Sequence, residues 1–165
     1  MARWFDLDPV DEAFFETAAQ RFVYPMRLRT DPDEVWAGLT AARPLSWVTL
    51  LDVEYTSAQP YGVGTERTVT VGPGLLRMRE HFFEWDDAAR RHSFYVEQAS
   101  LPLFRAFAES YEVEQAPGGC LFTWRFALDP KPGFGVGARA ARPVNRMLFG
   151  SFVRNTRTRF GAAEE

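Results

Sequence analysis

Glu109 is the polar residue with the greatest chemical potential in this chain. It stands in the run Phe107-Ala-Glu-Ser-Tyr111, ahead of a second aromatic run, Phe122-Thr-Trp-Arg-Phe126. Alternation along an extended chain puts Phe107, Glu109 and Tyr111 on one side. A carboxylate among aromatic rings has its pKa raised, because desolvation penalises the charged form. Such a group serves as general acid or base, or as the one polar anchor of an apolar pocket. A buried ion pair with Arg105 or another arginine, or a bulge that turns Glu109 to solvent, is the structural alternative. Tyr111 shares the face and joins Glu109 as a candidate proton carrier. Glu80 is a third candidate, although neighbouring Phe82 and Phe83 leave the inward parity of its strand open. Asn145 and Asn155 have side chains suited to bonding a ligand carbonyl or a neighbouring backbone group.

Other chemistries find no support. Gly133-Phe-Gly-Val-Gly-Ala138 matches the dinucleotide fingerprint letter for letter. That fingerprint needs a strand before it, a helix after it and an acid on a second strand about 20 residues on. Only 27 residues follow Ala138, with no acid before Glu164. The glycines read instead as a flexible lead into the last helix, placed to gate a cavity. His81 and His92 have no cysteine cluster and no zinc-ligand spacing, so no metal is expected. No serine lies in a G-x-S-x-G elbow. The lone Cys120 lies in an apolar run and reads as a small buried hydrophobe, and one cysteine fits a reducing compartment.

At 165 residues the chain fits one domain without disulfide or structural metal. It is 46% hydrophobic and 25% charged, which is ordinary, but 15% aromatic, enough to line a cavity as well as fill a core. The N-terminus turns acidic at once, unlike a signal peptide, and no window reaches the ~20 apolar residues of a membrane span. A cytoplasmic protein is expected. The net charge of −3 hides an asymmetry: Pro130 to Ala163 carries Lys131 and six arginines but no acid. This reads as the solvated face of a terminal helix rather than a nucleic-acid site.

The elements that must hold Glu109 follow from pattern. Asp8-Pro9 begins a short outer helix to Thr17. Arg21 to Arg29 alternates as a first strand, with Phe22, Tyr24, Met26 and Leu28 on one face. Thr30-Asp-Pro-Asp-Glu34 starts a helix that stops near Arg43-Pro44, and a second short turn follows at Leu45–Trp47. Six strand-like segments then run from Val48 to Leu128. In the last hairpin, pairing Gln115 with Cys120 sets Val113 against Phe122, Tyr111 against Trp124, Glu109 against Phe126 and Phe107 against Leu128. The other face then carries Ser110, Glu112, Thr123 and Arg125, a polar outside. After Arg142-Pro143 a helix runs to Phe160 with Val144, Leu148, Phe149, Phe152, Val153, Thr156 and Phe160 on one half.

The motifs Thr30-Asp-Pro-Asp-Glu-Val-Trp36, Arg79-Glu-His-Phe-Phe-Glu-Trp-Asp86 and Thr123-Trp-Arg-Phe126, in that order, resemble the START-like (SRPBCC) superfamily and its polyketide cyclase/dehydrase-like branch. The resemblance covers roughly residues 19–160. Residues 1–18 form an extension and 161–165 a disordered tail. It implies an α+β helix-grip fold: a curved antiparallel sheet of about seven strands around a long C-terminal helix, with two short helices after the first strand. The expected function is binding of a small hydrophobic ligand, a lipid, polyketide or other aromatic metabolite, without a cofactor. Phe107, Tyr111, Phe122, Trp124, Phe126, Leu148 and Phe152 would wall the cavity, and Glu109 and Asn145 would orient the guest. The alternatives are a cyclase/dehydratase-type enzyme with Glu109, Tyr111 and Glu80 moving a proton, and an interaction module with a vestigial cavity.

Overall fold

The computed structural model describes residues 3–133 and 135–163. Strands β2 (Gln20–Leu28), β3 (Leu51–Tyr55), β4 (Glu66–Val71), β5 (Leu76–Asp86), β6 (Arg91–Ala99), β7 (Phe104–Ala116) and β8 (Gly119–Pro130) form one antiparallel sheet. Its order is β2-β8-β7-β6-β5-β4-β3, and the short β1 (Phe5–Asp6) pairs with the end of β6. Helix α1 (Phe14–Thr17) precedes β2, α2 (Pro32–Leu39) follows it, and α3 (Gly135–Phe160) closes the chain. This is the expected α+β helix-grip architecture. The register of the last hairpin is the expected one throughout, from Phe107 opposite Leu128 to Gln115 opposite Cys120.

Helix α3 grips the sheet unevenly. In its C-terminal half Phe149, Phe152, Val153, Thr156 and Phe160 are buried. Phe149 stacks on Phe126 with centroids 3.9 Å apart, and Phe152 stacks on Trp124 at 6.0 Å. Trp47 Nε1 donates to Thr156 Oγ1 at 3.1 Å, and Thr30 Oγ1 donates to the Phe160 carbonyl at 2.6 Å. In the N-terminal half Val144 and Met147 are exposed. The helix is clamped at one end and lifted at the other, and the space beneath the lifted end is the cavity described below.

Five local expectations change. The Asp8 cap does not form: its backbone N–H donates to the Arg105 carbonyl at 2.8 Å and its carboxylate pairs with Arg105 at 2.7 Å. Extended pairing with the sheet outcompetes helix there, and α1 starts only at Phe14. Of the two short helices after the first long strand, α2 forms under its Asp31 cap, while 44–47 is a turn with Leu45 at φ 58°. Helix α3 begins at Gly135 and carries Pro143 inside it. A proline forfeits one backbone donor, and the Arg-Ala-Ala-Arg run at 139–142 favours helix strongly enough to bear that loss. Residues 161–163 of the expected disordered tail bond back to β2, through Arg29 N–H to the Gly161 carbonyl and Ala163 N–H to the Arg27 carbonyl. Finally, the outer face of the β7–β8 hairpin is only partly polar. Phe14 and Phe15 of α1 cover Ala106, Ala108 and Ala127, and Ser110 is buried with them.

The two-residue turn between β7 and β8 ends on Gly118 (φ 75°), and β8 opens on a second glycine, Gly119 (φ 156°). A Cβ on Gly119 would lie 1.9 Å from the Leu28 carbonyl oxygen, whereas one on Gly118 meets nothing within 4 Å. Gly118→Ala is expected to cost about 1–2 kcal/mol from backbone conformation alone. Gly119→Ala must also push β2 off β8, adding roughly 1–3 kcal/mol. Urea denaturation of the two variants checks the ordering, and equal losses would contradict the close approach.

Candidate functional site

A cavity of about 300 Å³ lies between the sheet and the lifted half of α3. Its walls are almost wholly apolar. Val69 and Val71 come from β4, Met78 from β5, and Leu148, Phe149 and Phe152 from α3. Phe107, Tyr111, Asn145, Leu148 and Phe152 of the expected lining lie on it. Phe122, Trp124 and Phe126 do not. All three are fully buried: Phe126 stacks on Phe149, Trp124 on Phe152, and Phe122 on Trp124. The inward aromatic residues of the hairpin thus divide by strand: those of β7 border the cavity and those of β8 do not.

Glu80 on β5 and Glu109 and Tyr111 on β7 meet at one end of the cavity. Trp124 Nε1 donates to Glu109 Oε2 at 2.9 Å, and the Tyr111 hydroxyl donates to the same oxygen at 3.3 Å. Burial, reinforced by the charge of Glu80, pushes the Glu109 carboxyl up to about 8. Glu109 is therefore protonated at neutral pH. Both protein donors lie on Oε2, which leaves Oε1 without a bond from either. Tyr111 is raised well above its ordinary range by burial and by Glu109, so it too stays neutral.

Sequence reasoning missed the residue that makes this cluster tolerable. Arg67 is 1% exposed, and its Nε donates to Glu80 Oε2 at 2.5 Å. Its Nη2 approaches the Tyr111 hydroxyl at 3.5 Å, while Nη1 has no hydrogen-bond partner among the described residues. The guanidinium also stands 4.3 Å from the Phe94 ring centroid and 4.9 Å from that of Phe82. Alternation was the available signal: Arg67, Val69 and Val71 share one parity of β4, and all three are buried. Glu80 shares the buried parity of β5 with Met78 and Phe82, and the irregularity between Phe82 and Glu84 falls after it. Phe82 faces the core, and Phe83 stacks outside on Tyr95. Arg105, weighed as the partner of Glu109, lies outside and pairs with Asp8 and Asp129.

Of the remaining candidates only Asn145 borders the cavity. Asn145 Nδ2 lies 3.4 Å from Gln20 Oε1 at the helix side of the cavity, and Asn155 Oδ1 accepts from Thr49 N–H at 3.1 Å. His92 is buried among Trp36, Phe82, Trp85 and Tyr111. Burial, with the nearby Arg67 charge, holds it well below its ordinary range and hence neutral. His81 lies on the outer face, its Nδ1 3.5 Å from Glu97 and 3.9 Å from Glu66. These three are the one histidine–carboxylate group of ligating size among the described residues, and Glu66 is exposed. Burial pushes the Cys120 thiol up to about 11, which leaves it unreactive at neutral pH. The glycine-rich lead into α3 includes Phe134, outside the described residues.

Residues 19–161 match the family model described as polyketide cyclase / dehydrase and lipid transport. The chain belongs to this family. Uncharacterized proteins of Mycobacterium tuberculosis and Mycobacterium bovis are 30% identical over 169 residues, covering 98% of this chain and 99% of theirs. That alignment takes in most of the segment before residue 19, which is therefore common to these relatives. Among solved structures, the protein TTHA0849 from Thermus thermophilus superposes with a TM-score of 0.70 at 15% identity, over 86% of this chain and 97% of its own. Ara h 8.0201 gives 0.64 at 14% identity, over 83% and 95%. Major latex-like protein 151 from Panax ginseng gives 0.62 at 15% identity, over 86% and 97%. At these identities the likeness is one of fold, and it is the START-like fold expected from the sequence motifs. The family and these neighbours share a fold suited to binding hydrophobic ligands. No helix among the described residues is long and apolar enough to cross a membrane.

The protonation of Glu109 has a consequence for stability. Its folded pKa of about 8 lies above the ordinary 4.5. Between these values the folded chain holds more protons than the unfolded one, so this contribution is full at low pH and is lost as pH rises through about 8. Glu109→Gln removes it. The variant's stability relative to the native chain is expected to climb by up to about 1.4 kcal/mol per pH unit across that window. Urea denaturation at a series of pH values measures the difference, and parallel curves would place Glu109 in an ordinary carboxylate environment.

Proposed function

We propose that this protein binds a small hydrophobic molecule, a lipid, polyketide or other aromatic metabolite, in the cavity beneath the lifted half of α3. The carrying observation is that the cavity is apolar on nearly every wall but ends on the buried carboxyl of Glu109, whose neutral form burial favours. Desolvating such walls favours an apolar guest at roughly 25 cal/mol per Å² buried. A neutral Glu109 offers a hydrogen-bond donor to one oxygen of the guest without placing a bare charge in the cavity, and Asn145 offers a second polar contact nearer the helix. The buried, unpaired Cys120 supports action in the cytoplasm.

The first test is native mass spectrometry of the purified protein, followed by thermal melts against fatty acids, sterols and aromatic polyketides. A true ligand at a hundredfold excess over its Kd stabilises the fold by about 2.7 kcal/mol. Leu148→Trp fills the cavity from α3 and is expected to weaken that ligand at least about tenfold without lowering the melting temperature. If no compound in the panel shifts the melt and no mass co-purifies, ligand binding loses its support.

A second reading draws on the same polar end. Arg67, Glu80, Glu109 and Tyr111 converge there, more groups than orientation of a guest requires. They support proton transfer at a carbon next to a carbonyl, with Glu109 as acid or base. Once a ligand with such a carbon is found, Glu109→Gln separates the readings. Loss of turnover by about a hundredfold with affinity kept supports catalysis. An unchanged product analysis in the native protein leaves a binding protein.

A further inference from the structure

Ligand binding does not account for the composition of the cavity's mouth. Leu75 in the β4–β5 turn, Leu101 and Leu103 between β6 and β7, and Val144 on α3 all line the cavity. They are nevertheless 73%, 37%, 43% and 57% exposed. Met147, close by Val144 on α3, is 67% exposed. Three separate segments thus hold apolar side chains in water around one opening, an arrangement that a free surface gains nothing from.

Basic residues are tied to that rim through the backbone. Ser100 N–H donates to the Arg77 carbonyl at 2.8 Å, and Lys131 N–H donates to the Leu103 carbonyl at 3.1 Å. Both basic side chains are exposed, as are Arg139 and Arg142 in the first turns of α3. No acid occurs between Pro130 and Ala163 to offset them. The acids nearby are fewer than the bases: Asp8 and Asp129 share Arg105, and Asp6 accepts from Gln98 at 2.7 Å.

We propose that this rim docks on the surface of an anionic phospholipid bilayer. Leu75, Leu101, Leu103 and Val144 enter the boundary between headgroups and acyl chains, and Arg77, Lys131 and the first arginines of α3 lie against the phosphates. A nucleic acid would satisfy the charges but leave the leucines in water, because its backbone offers them no apolar surface. A second copy would cover the leucines but bring each basic rim against itself, since a two-fold contact joins like to like. A bilayer satisfies both. In this arrangement the cavity opens onto the acyl layer, and an apolar guest passes between membrane and protein without crossing water.

Co-sedimentation with vesicles of phosphatidylcholine, alone and mixed with phosphatidylglycerol, tests the surface. The native chain is expected to sediment with the mixed vesicles and to release as salt rises. The double changes Leu101→Asp/Leu103→Asp and Arg77→Glu/Lys131→Glu should each weaken partition about tenfold or more, with far-UV circular dichroism and a cooperative melt showing that each variant is folded. Val63→Asp is the control, since Val63 is 68% exposed but lies off the cavity; it should change nothing. The proposal is overturned by a native chain that stays in the supernatant with mixed vesicles at low salt. Equal binding by the leucine variant, a preference for duplex DNA or RNA over the vesicles, or a dimer in size exclusion that the leucine changes dissolve would overturn it as well.

Discussion

The stack of Phe126 on Phe149, with Trp124 on Phe152 beside it, sets the height of the long helix above the sheet. Other features of the molecule follow from that height. Where the rings meet, the core is closed, and Phe122, Trp124 and Phe126 have no free surface. Towards the N-terminus of α3 the facing side chains are Val, Leu and Met, too short to fill the gap that the aromatic pairs impose. Close packing at one end therefore creates the cavity at the other. The hydrogen bonds from Trp47 and Thr30 to the last turns of α3, and the return of residues 161–163 to β2, keep the clamped end from sliding.

A second constraint is electrostatic. Two carboxyl groups and a guanidinium lie buried at the cavity's end, and two like charges with a single counter-ion there would be costly. Arg67 pairs with Glu80, and Glu109 avoids the cost by keeping its proton, aided by donors from Trp124 and Tyr111 that fix its orientation. The result is a polar end close to net neutrality inside an apolar chamber. Such a site suits a guest that is apolar along its length and carries oxygen at one end.

The N-terminal segment plays a quieter part. Residues 5–8 lengthen the sheet at β6, and Phe14 and Phe15 cover three alanines whose small side chains leave room for them. Arg125 spans the junction, bonding Glu12 at 2.7 Å while its guanidinium lies 4.6 Å from the Phe15 ring centroid. The outer face of the central hairpin is thus a small second core, and the relatives whose alignments reach into this segment have chain available for the same cover.

Residues close in sequence were legible because local rules govern them. Alternation and turn residues were enough for the β7–β8 register, for the inward direction of Glu109, and for the start of α2 at its aspartate cap. The order of those elements pointed to the family. Arg67 was legible by the same alternation and was overlooked because charged residues are usually placed outside. The sequence alone thus determined which faces are apolar and which carboxyl lies among rings. Tertiary structure decided two things: which aromatic residues close the core and which border a void, and that Asp8 serves the sheet rather than a helix. These depend on the distance between elements far apart in the chain. Periodicity specifies the direction of a side chain but not how near its opposite number will stand.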